Sequence, residues 1–111
     1  MTINDDDWVV STIEYLQELP DQLRLRLNTV EELLVFFEGY ARCRSDLKIG
    51  EYSPSDQKLL NKFGQWLRQT HADHVGSGYS WQTYMREACK NRQNETGDYA
   101  LQLFDDFLNN E

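Results

Sequence analysis

The sequence predicts a single all-α domain spanning residues 1–111, a compact bundle of about five helices around one core. Three observations predict this fold. Apolar residues recur at three- and four-residue intervals in five separate segments, which is the spacing of one helix face. Helix-capping residues, such as Thr29 and the Ser53–Pro54 pair, stand directly before several of these segments. A chain of 111 residues with 40% hydrophobic residues is also long enough for one domain with its own core.

The first predicted helix follows an acidic start at Asp5, Asp6 and Asp7, where carboxylates favour the positive end of the helix dipole. We expect Asn4 or Asp5 to cap it. Pro20 ends the helix because proline disfavours the helical conformation in the residue before it. The expected apolar face consists of Trp8, Val9, Thr12, Ile13, Leu16 and Leu19.

Residues 21–28 carry a pattern that fits two structures. Leu23, Leu25 and Leu27 alternate with Arg24 and Arg26, which is the period of a strand. A single strand has no partner in this sequence, so we expect either an extended connection or a short helical turn whose leucines contact the core.

The second predicted helix has the clearest beginning, because Thr29 and Glu32 form a capping box. Gly39 within it costs about 1 kcal/mol relative to alanine, and we interpret it as the site of a close helix crossing. Gly50 is the expected terminator. The core face is Val30, Leu33, Leu34, Phe37, Tyr40, Ala41 and Arg44, widened by Phe36.

Three further helices complete the predicted bundle. Ser53 and Pro54 begin the third, Ser80 begins the fourth, and Thr96 or Asp98 caps the fifth. Polar, glycine-containing loops are expected around residues 71–79 and 90–96. The predicted core residues are Leu59, Leu60, Phe63, Trp66 and Leu67 in the third helix, Trp81, Tyr84, Met85 and Ala88 in the fourth, and Ala100, Leu103, Phe104, Phe107 and Leu108 in the fifth.

The charge balance restricts the class of partner. Eleven Lys and Arg against 19 Asp and Glu give a net charge of -8, which repels nucleic-acid backbones and anionic lipid and favours basic partners. No apolar run approaches the roughly 18 residues of a membrane span, and the acidic start is unlike a secretory signal. We therefore expect a cytoplasmic protein whose two cysteines stay reduced.

Two groups of side chains could form a metal site or a nucleophilic active site, but neither meets the requirements of such a site well. His71, Asp73 and His74 lie together in a loop, but zinc needs three or four ligands in tetrahedral geometry. Cys43 and Cys89 have no evident base beside them in the sequence, and free cysteines commonly behave as small hydrophobes. We expect no enzyme, no metal and no cofactor, with a metal site at His71 and His74 as the least favoured alternative.

Surface tyrosines and carboxylates are the predicted partner-binding residues. The tyrosines fall outside the core faces, and tyrosine is enriched at binding hot spots, although a tyrosine at a helix edge also commonly covers the core. The carboxylates supply the charge that would attract a basic partner. The predicted residues are Asp5, Asp6, Asp7, Glu31, Glu38, Tyr52, Tyr79, Tyr99, Asp105 and Asp106.

Several segments resemble a group of small, acidic, all-helical bacterial proteins, which includes uncharacterised members and immunity proteins of secreted toxins. The resemblance is carried by residues 29–33 (TVEEL), 37–41 (FEGYA), 63–67 (FGQWL), 80–81 (SW) and 100–104 (ALQLF). It covers most of the chain through residues expected in the core, and it therefore implies fold more than activity.

These observations lead to a functional expectation. We expect a stoichiometric binding protein, in particular an immunity protein whose acidic face occludes the basic active site of a toxin. The alternative is a small cytosolic regulatory or adaptor protein that acts through a helix face, which an exposed apolar patch would indicate.

Overall fold

The computed structural model describes residues 7–19 and 28–110. This part of the chain forms five helices and confirms the all-α prediction. The alternating segment at residues 21–27, and the predicted acidic residues Asp5 and Asp6, lie outside the described residues. The helices are α1 (Val9–Glu18), α2 (Val30–Asp46), α3 (Pro54–His71), α4 (Trp81–Asn91) and α5 (Gly97–Asn109).

The predicted apolar faces meet in one core. The most extensive packing is between α3 and α4, while α2 packs against both α5 and α4. The largest fully buried side chains come from all five helices, and the predicted stripes supply every one of them. They are Phe37, Phe63, Phe104, Ile13, Leu16, Leu33, Leu34, Leu60, Leu67, Met85, Leu103 and Val9.

Aromatic rings form the centre of this core. Phe63 of α3 stacks on Phe104 of α5 with their ring centroids 4.0 Å apart. Trp81 of α4 meets Phe104 edge to face at 5.6 Å, and Phe37 of α2 stacks on Phe104 at 6.1 Å. Offset and edge-to-face aromatic pairs are favourable beyond the area they bury. Four helices are therefore joined through one group of rings.

The amino end of α1 is held by a residue from another helix. Asp56, in the first turn of α3, is only 3% exposed, and its Oδ2 accepts hydrogen bonds from the backbone N–H groups of Trp8 at 2.7 Å and Val9 at 3.3 Å. The first helix begins at Val9 and has no acidic residue in its first turn. The predicted caps Asn4 and Asp5 lie outside the described residues. The cap position of α1 is Trp8, and the carboxylate that accepts the first N–H groups there comes from α3.

Trp8 makes the apolar contacts where the amino ends of α1 and α3 meet. Its indole N–H donates to the carbonyl oxygen of Glu51 at 3.0 Å. Its ring stacks on Tyr52 at a centroid distance of 5.2 Å, with Tyr40 at 4.5 Å and Phe37 at 5.7 Å. The side chain thus connects α1 both to α2 and to the loop before α3.

The predicted caps of α2, α3 and α5 are confirmed. The hydroxyl oxygens of Thr29, Ser53 and Thr96 accept the N–H groups of residues three positions later, at 3.0–3.1 Å. An antiparallel bridge between Thr29 and Thr96 joins the amino ends of α2 and α5. Ser80 precedes α4 as predicted, but its side chain makes no capping hydrogen bond.

Two glycine predictions for α2 are wrong. Nothing among the described residues lies within 4 Å of a Cβ built on Gly39, so no described helix crosses α2 closely there. The close approach is at Gly64 in α3, where a Cβ would lie 3.3 Å from Cα and Cβ of Trp81. Gly50 is the expected terminator of α2, but the left-handed residue that ends the helix is Lys48, with φ of 61°. The Ile49 N–H donates to the Arg44 carbonyl at 3.0 Å, as in a Schellman motif.

Replacing Asp56 by alanine is expected to lower the free energy of unfolding by about 2–4 kcal/mol, because two N–H groups at a buried helix end lose a charged acceptor. Asp56→Asn keeps one carbonyl oxygen and should lose less. Urea unfolding followed by circular dichroism measures both. The matched control is Asp73→Ala in an exposed loop, which should change stability by less than about 0.5 kcal/mol. Equal stability of Asp56→Ala and Asp73→Ala would contradict the role of the carboxylate.

The two helical glycines should respond oppositely to alanine. Gly39→Ala fills open space and is expected to stabilise the protein by about 0.5–1 kcal/mol, since alanine favours the helix. Gly64→Ala has the same gain in propensity but presses on Trp81, so it should be less stable than Gly39→Ala. Thermal and urea unfolding of the two variants gives the difference. If both variants are stabilised equally, Gly64 does not lie in close contact with the Trp81 backbone.

Candidate functional site

The outer face of α2 carries an exposed apolar surface. Val35 is 60% exposed, Phe36 38% and Tyr40 44%, although the inner face of the same helix fills the core. Gly39 and Cys43 are exposed on the same side of the helix. Leu47, just after the helix, is 68% exposed. We call Val35, Phe36, Gly39, Tyr40, Cys43 and Leu47 the α2 surface. Apolar side chains grouped this way on a soluble protein commonly mark an interaction site.

Carboxylates border the α2 surface. Glu31, Glu32, Glu38 and Asp46 are all exposed on the same helix. Arg42 is 3.8 Å from Asp46, and both of these side chains are largely in solvent, so the pair contributes little to stability. These four carboxylates outnumber the exposed cations beside them, which are Arg42 on α2 and Lys48 just after it, so the border has a net negative charge.

Two predicted acidic residues, Glu31 and Glu38, are brought together by one arginine. Arg86 of α4 places its Nε 2.6 Å from Oε1 of Glu31 and an Nη 3.9 Å from Oε1 of Glu38. These contacts orient the two glutamates along the edge of the α2 surface. One guanidinium between two carboxylates leaves a net negative charge at this edge.

Asp7 and Tyr52 lie at the α1–α3 junction instead. The Ser53 hydroxyl donates a hydrogen bond to Oδ1 of Asp7. Tyr52 is half-buried against Trp8, and burial together with the charges of Glu51, Glu38 and Asp56 raises the pKa of its phenol to about 12. Tyr52 therefore takes part in the packing around Trp8, while Asp7 is exposed beside it.

The remaining predicted residues lie elsewhere. Tyr99 and Asp106 lie on the same side of α5. Burial and the carboxylate of Asp106 raise the pKa of Tyr99, while Arg92 opposes that rise. Asp106 also accepts a hydrogen bond from the Gln102 amide at 2.9 Å. Asp105 is half-buried on the same helix. The predicted carboxylates that the structure describes therefore do not form one continuous face.

A groove runs along the outer side of α3 and the loop before α4. Its volume is about 700 Å³, and Tyr52 and Tyr79 both line it. Tyr79 is 59% exposed, so it is the predicted tyrosine that most fully reaches solvent. Arg68 is the one charged side chain among the described lining residues, and its Nε donates to the Val75 carbonyl at 3.3 Å. The groove is mainly lined by neutral amides and hydroxyls.

The two histidines point to different neighbours. His71 packs its ring on Trp66 at 5.2 Å, and its Nδ1 is 2.6 Å from the Thr70 hydroxyl. Burial lowers the pKa of His71, while Asp106 acts in the opposite direction. His74 is 3.4 Å from Glu87. Within residues 7–19 and 28–110, no three His, Cys, Asp or Glu side chains are grouped as metal ligands.

The two cysteines have different surroundings. Cys43 is exposed on the α2 surface, whereas Cys89 is buried, and both are free thiols. Burial and the nearby Glu95 raise the pKa of Cys89 to about 12. Because the thiolate is the nucleophilic form, Cys89 is unsuited to attack a substrate at neutral pH.

Comparison with known proteins finds no matching family model, no similar curated protein and no similar solved structure. In the described part of the chain, no helix has both the length and the apolar character needed to cross a membrane.

Sequence reasoning missed most of the α2 surface. It placed Tyr40 on the core face and treated Phe36 as a widening of that face. The signal was present in residues 34–37 (LVFF), because four consecutive apolar residues on a helix cannot all point to one side. When a helix has apolar residues on both sides, those that do not face the core are exposed to solvent.

The two thiols should react at very different rates. With a thiol-specific disulfide reagent at pH 8, we expect about one fast equivalent per chain from Cys43 and a second only on unfolding, since reaction follows thiolate content and access. Cys43→Ser should remove the fast phase and leave the slow one. Two fast equivalents in the folded wild type would contradict the buried state of Cys89.

Proposed function

We propose that this chain is a stoichiometric protein-binding protein that presents the α2 surface to a basic protein partner. The single observation that carries the proposal is the exposed group of Val35, Phe36 and Tyr40 inside a border of carboxylates. An apolar centre with a polar rim is the usual anatomy of a protein interface. Aromatic residues such as Phe36 and Tyr40 are also enriched at its centre.

Charge supports the choice of a basic partner. The whole chain has a net charge of -8, and the border of the α2 surface shares that sign. A basic partner would be attracted over long distances and oriented before contact, which raises the association rate. The same field disfavours nucleic acid and anionic membranes as partners.

Toxin neutralisation is the specific form of this proposal. Nuclease active sites bind phosphates through basic side chains, and an acidic protein that covers such a site blocks the substrate. Glu31 and Glu38, oriented by Arg86, would face the basic residues, while Val35 and Phe36 would fill the apolar part of the contact. Covering the toxin's active site would be enough for inhibition, and this chain would need no catalytic group of its own. A cytosolic setting belongs to the proposal, because it would keep both free thiols reduced.

The exposed apolar surface also favours a second candidate, a small regulatory or adaptor protein that acts through the same helix face. The two candidates share the α2 surface and differ in the partner. An immunity protein has a toxin encoded beside it, whereas an adaptor binds a protein of the cell's own regulation. The identity of the adjacent gene and of the captured partner separates them.

The test is affinity capture from cells of the source organism, with partners identified by mass spectrometry and the affinity measured by calorimetry. We expect a basic protein bound at one-to-one stoichiometry. Val35→Arg puts a positive charge in the centre of the α2 surface and should weaken binding at least about tenfold, as loss of a central contact does. The matched control is Tyr15→Arg, because Tyr15 is 61% exposed on α1 and Val35 is 60% exposed.

Tyr15→Arg should bind within about twofold of the wild type, since both changes are at exposed positions and spare the core. Two results would overturn the proposal. One is capture of no basic partner together with no toxin gene adjacent to this one. The other is equal loss of binding in both variants, which would mean that overall charge, and not the α2 surface, governs the interaction.

A further inference from the structure

Gly39 leaves a gap in the middle of the α2 surface. On a helix its nearest surface neighbours are the residues three and four positions away, which are Val35, Phe36, Arg42 and Cys43. A Cβ built on Gly39 meets nothing within 4 Å, so no described element fills the gap. Because glycine costs about 1 kcal/mol in a helix interior, the fold itself gains nothing from this residue.

The shape of this gap suits another helix. Val35, Gly39 and Cys43 form an i, i+4, i+8 row, and such rows are the ridges and grooves through which helices pack. A missing side chain in the middle of the row lets a large side chain of a crossing helix approach the α2 backbone. The exposed part of α2 between Glu31 and Asp46 is about 24 Å long at 1.5 Å per residue, which gives room for several turns of a partner helix.

Charge selects the kind of helix. Glu31 and Glu32 lie at one end of the row, Asp46 at the other, and Glu38 along the side. A second copy of this chain crossing at Gly39 in antiparallel orientation would place Glu32 opposite Asp46, and a parallel copy would place the glutamates side by side. Like charges so placed are destabilising. Lysine and arginine beside an apolar stripe would instead complement these carboxylates.

We propose that the partner docks through an amphipathic basic helix that crosses α2 at Gly39, with a large apolar side chain in the gap between Val35, Phe36 and Cys43. The inference rests on the proposed function, since it names the structural element by which the basic partner binds. It explains why a helix with exposed apolar side chains on its outer side has its one glycine at an exposed position.

The test uses a synthetic probe, because the crossing is a property of shape and charge. The probe is a fluorescein-labelled helical peptide of about five turns, with leucine on one face and lysine on the other. A leucine–glutamate peptide of the same pattern is its control. Fluorescence anisotropy at low and physiological salt measures the affinity of the folded chain for each peptide. We expect binding of the lysine peptide, weaker at higher salt, and no binding of the glutamate peptide.

Two glycine variants test the crossing itself. Gly39→Gln fills the gap with a neutral, helix-compatible side chain and should weaken binding of the lysine peptide at least about tenfold, as loss of a central contact does. Gly76→Gln is the matched control, because a Cβ on Gly76 also meets nothing within 4 Å and this glycine lies in the loop before α4. It should bind within about twofold of the wild type, as surface substitutions away from an interface do. Circular dichroism checks that both variants are folded.

The outcomes separate the inference from the proposed function. If Val35→Arg abolishes binding of the lysine peptide and Gly39→Gln leaves it unchanged, the α2 surface binds without a crossing at Gly39. The inference is then wrong and the proposed function stands. If the wild type does not bind the lysine peptide, the inference is also wrong. If neither variant changes binding, the peptide docks elsewhere, and the inference and the choice of the α2 surface both fail.

Discussion

The buried carboxylate of Asp56 joins the amino ends of two helices. Its oxygen accepts the first N–H groups of α1, while its own backbone N–H donates to Ser53, the cap of α3. A helix amino end carries unsatisfied donors and a partial positive charge. The buried carboxylate therefore satisfies donors at the end of α1 and lies at the positive end of α3. The position of Trp8 depends on this contact, and the stacking of Tyr40 and Tyr52 depends on Trp8.

The aromatic centre extends that arrangement to the rest of the bundle. Phe37 touches both Trp8 and Phe104, so the α1 junction and the Phe63–Phe104 stack belong to one continuous packing. Close-packed interiors leave little freedom for one helix to move independently. The inner side of α2 is therefore fixed by the core, and the orientation of its outer side follows from the same contacts.

The helical faces could be predicted because they depend on local spacing. The predicted core faces of α2 and α5 are buried, except that Tyr40 is exposed and Leu108 is half-buried. The caps at Thr29, Ser53 and Thr96 follow from residue type. Contacts between residues far apart in the chain could not be predicted from local spacing. Asp56 lies 47 and 48 residues from the N–H groups it binds, and nothing in the local sequence distinguishes Gly64, which sits against Trp81, from Gly39, which faces open space.

Of the candidate site, residue type predicted Glu31 and Glu38 but not the apolar centre beside them. The apolar outer side of α2 adds little to folding, because burial stabilises only the side chains removed from water. Exposed apolar groups also favour association, and the bordering carboxylates counter this through the repulsion between like-charged molecules. In the proposed function these carboxylates would act twice. They keep the unbound chain dispersed, and they recognise the one class of protein whose positive charge cancels that repulsion and lets Val35 and Phe36 become buried.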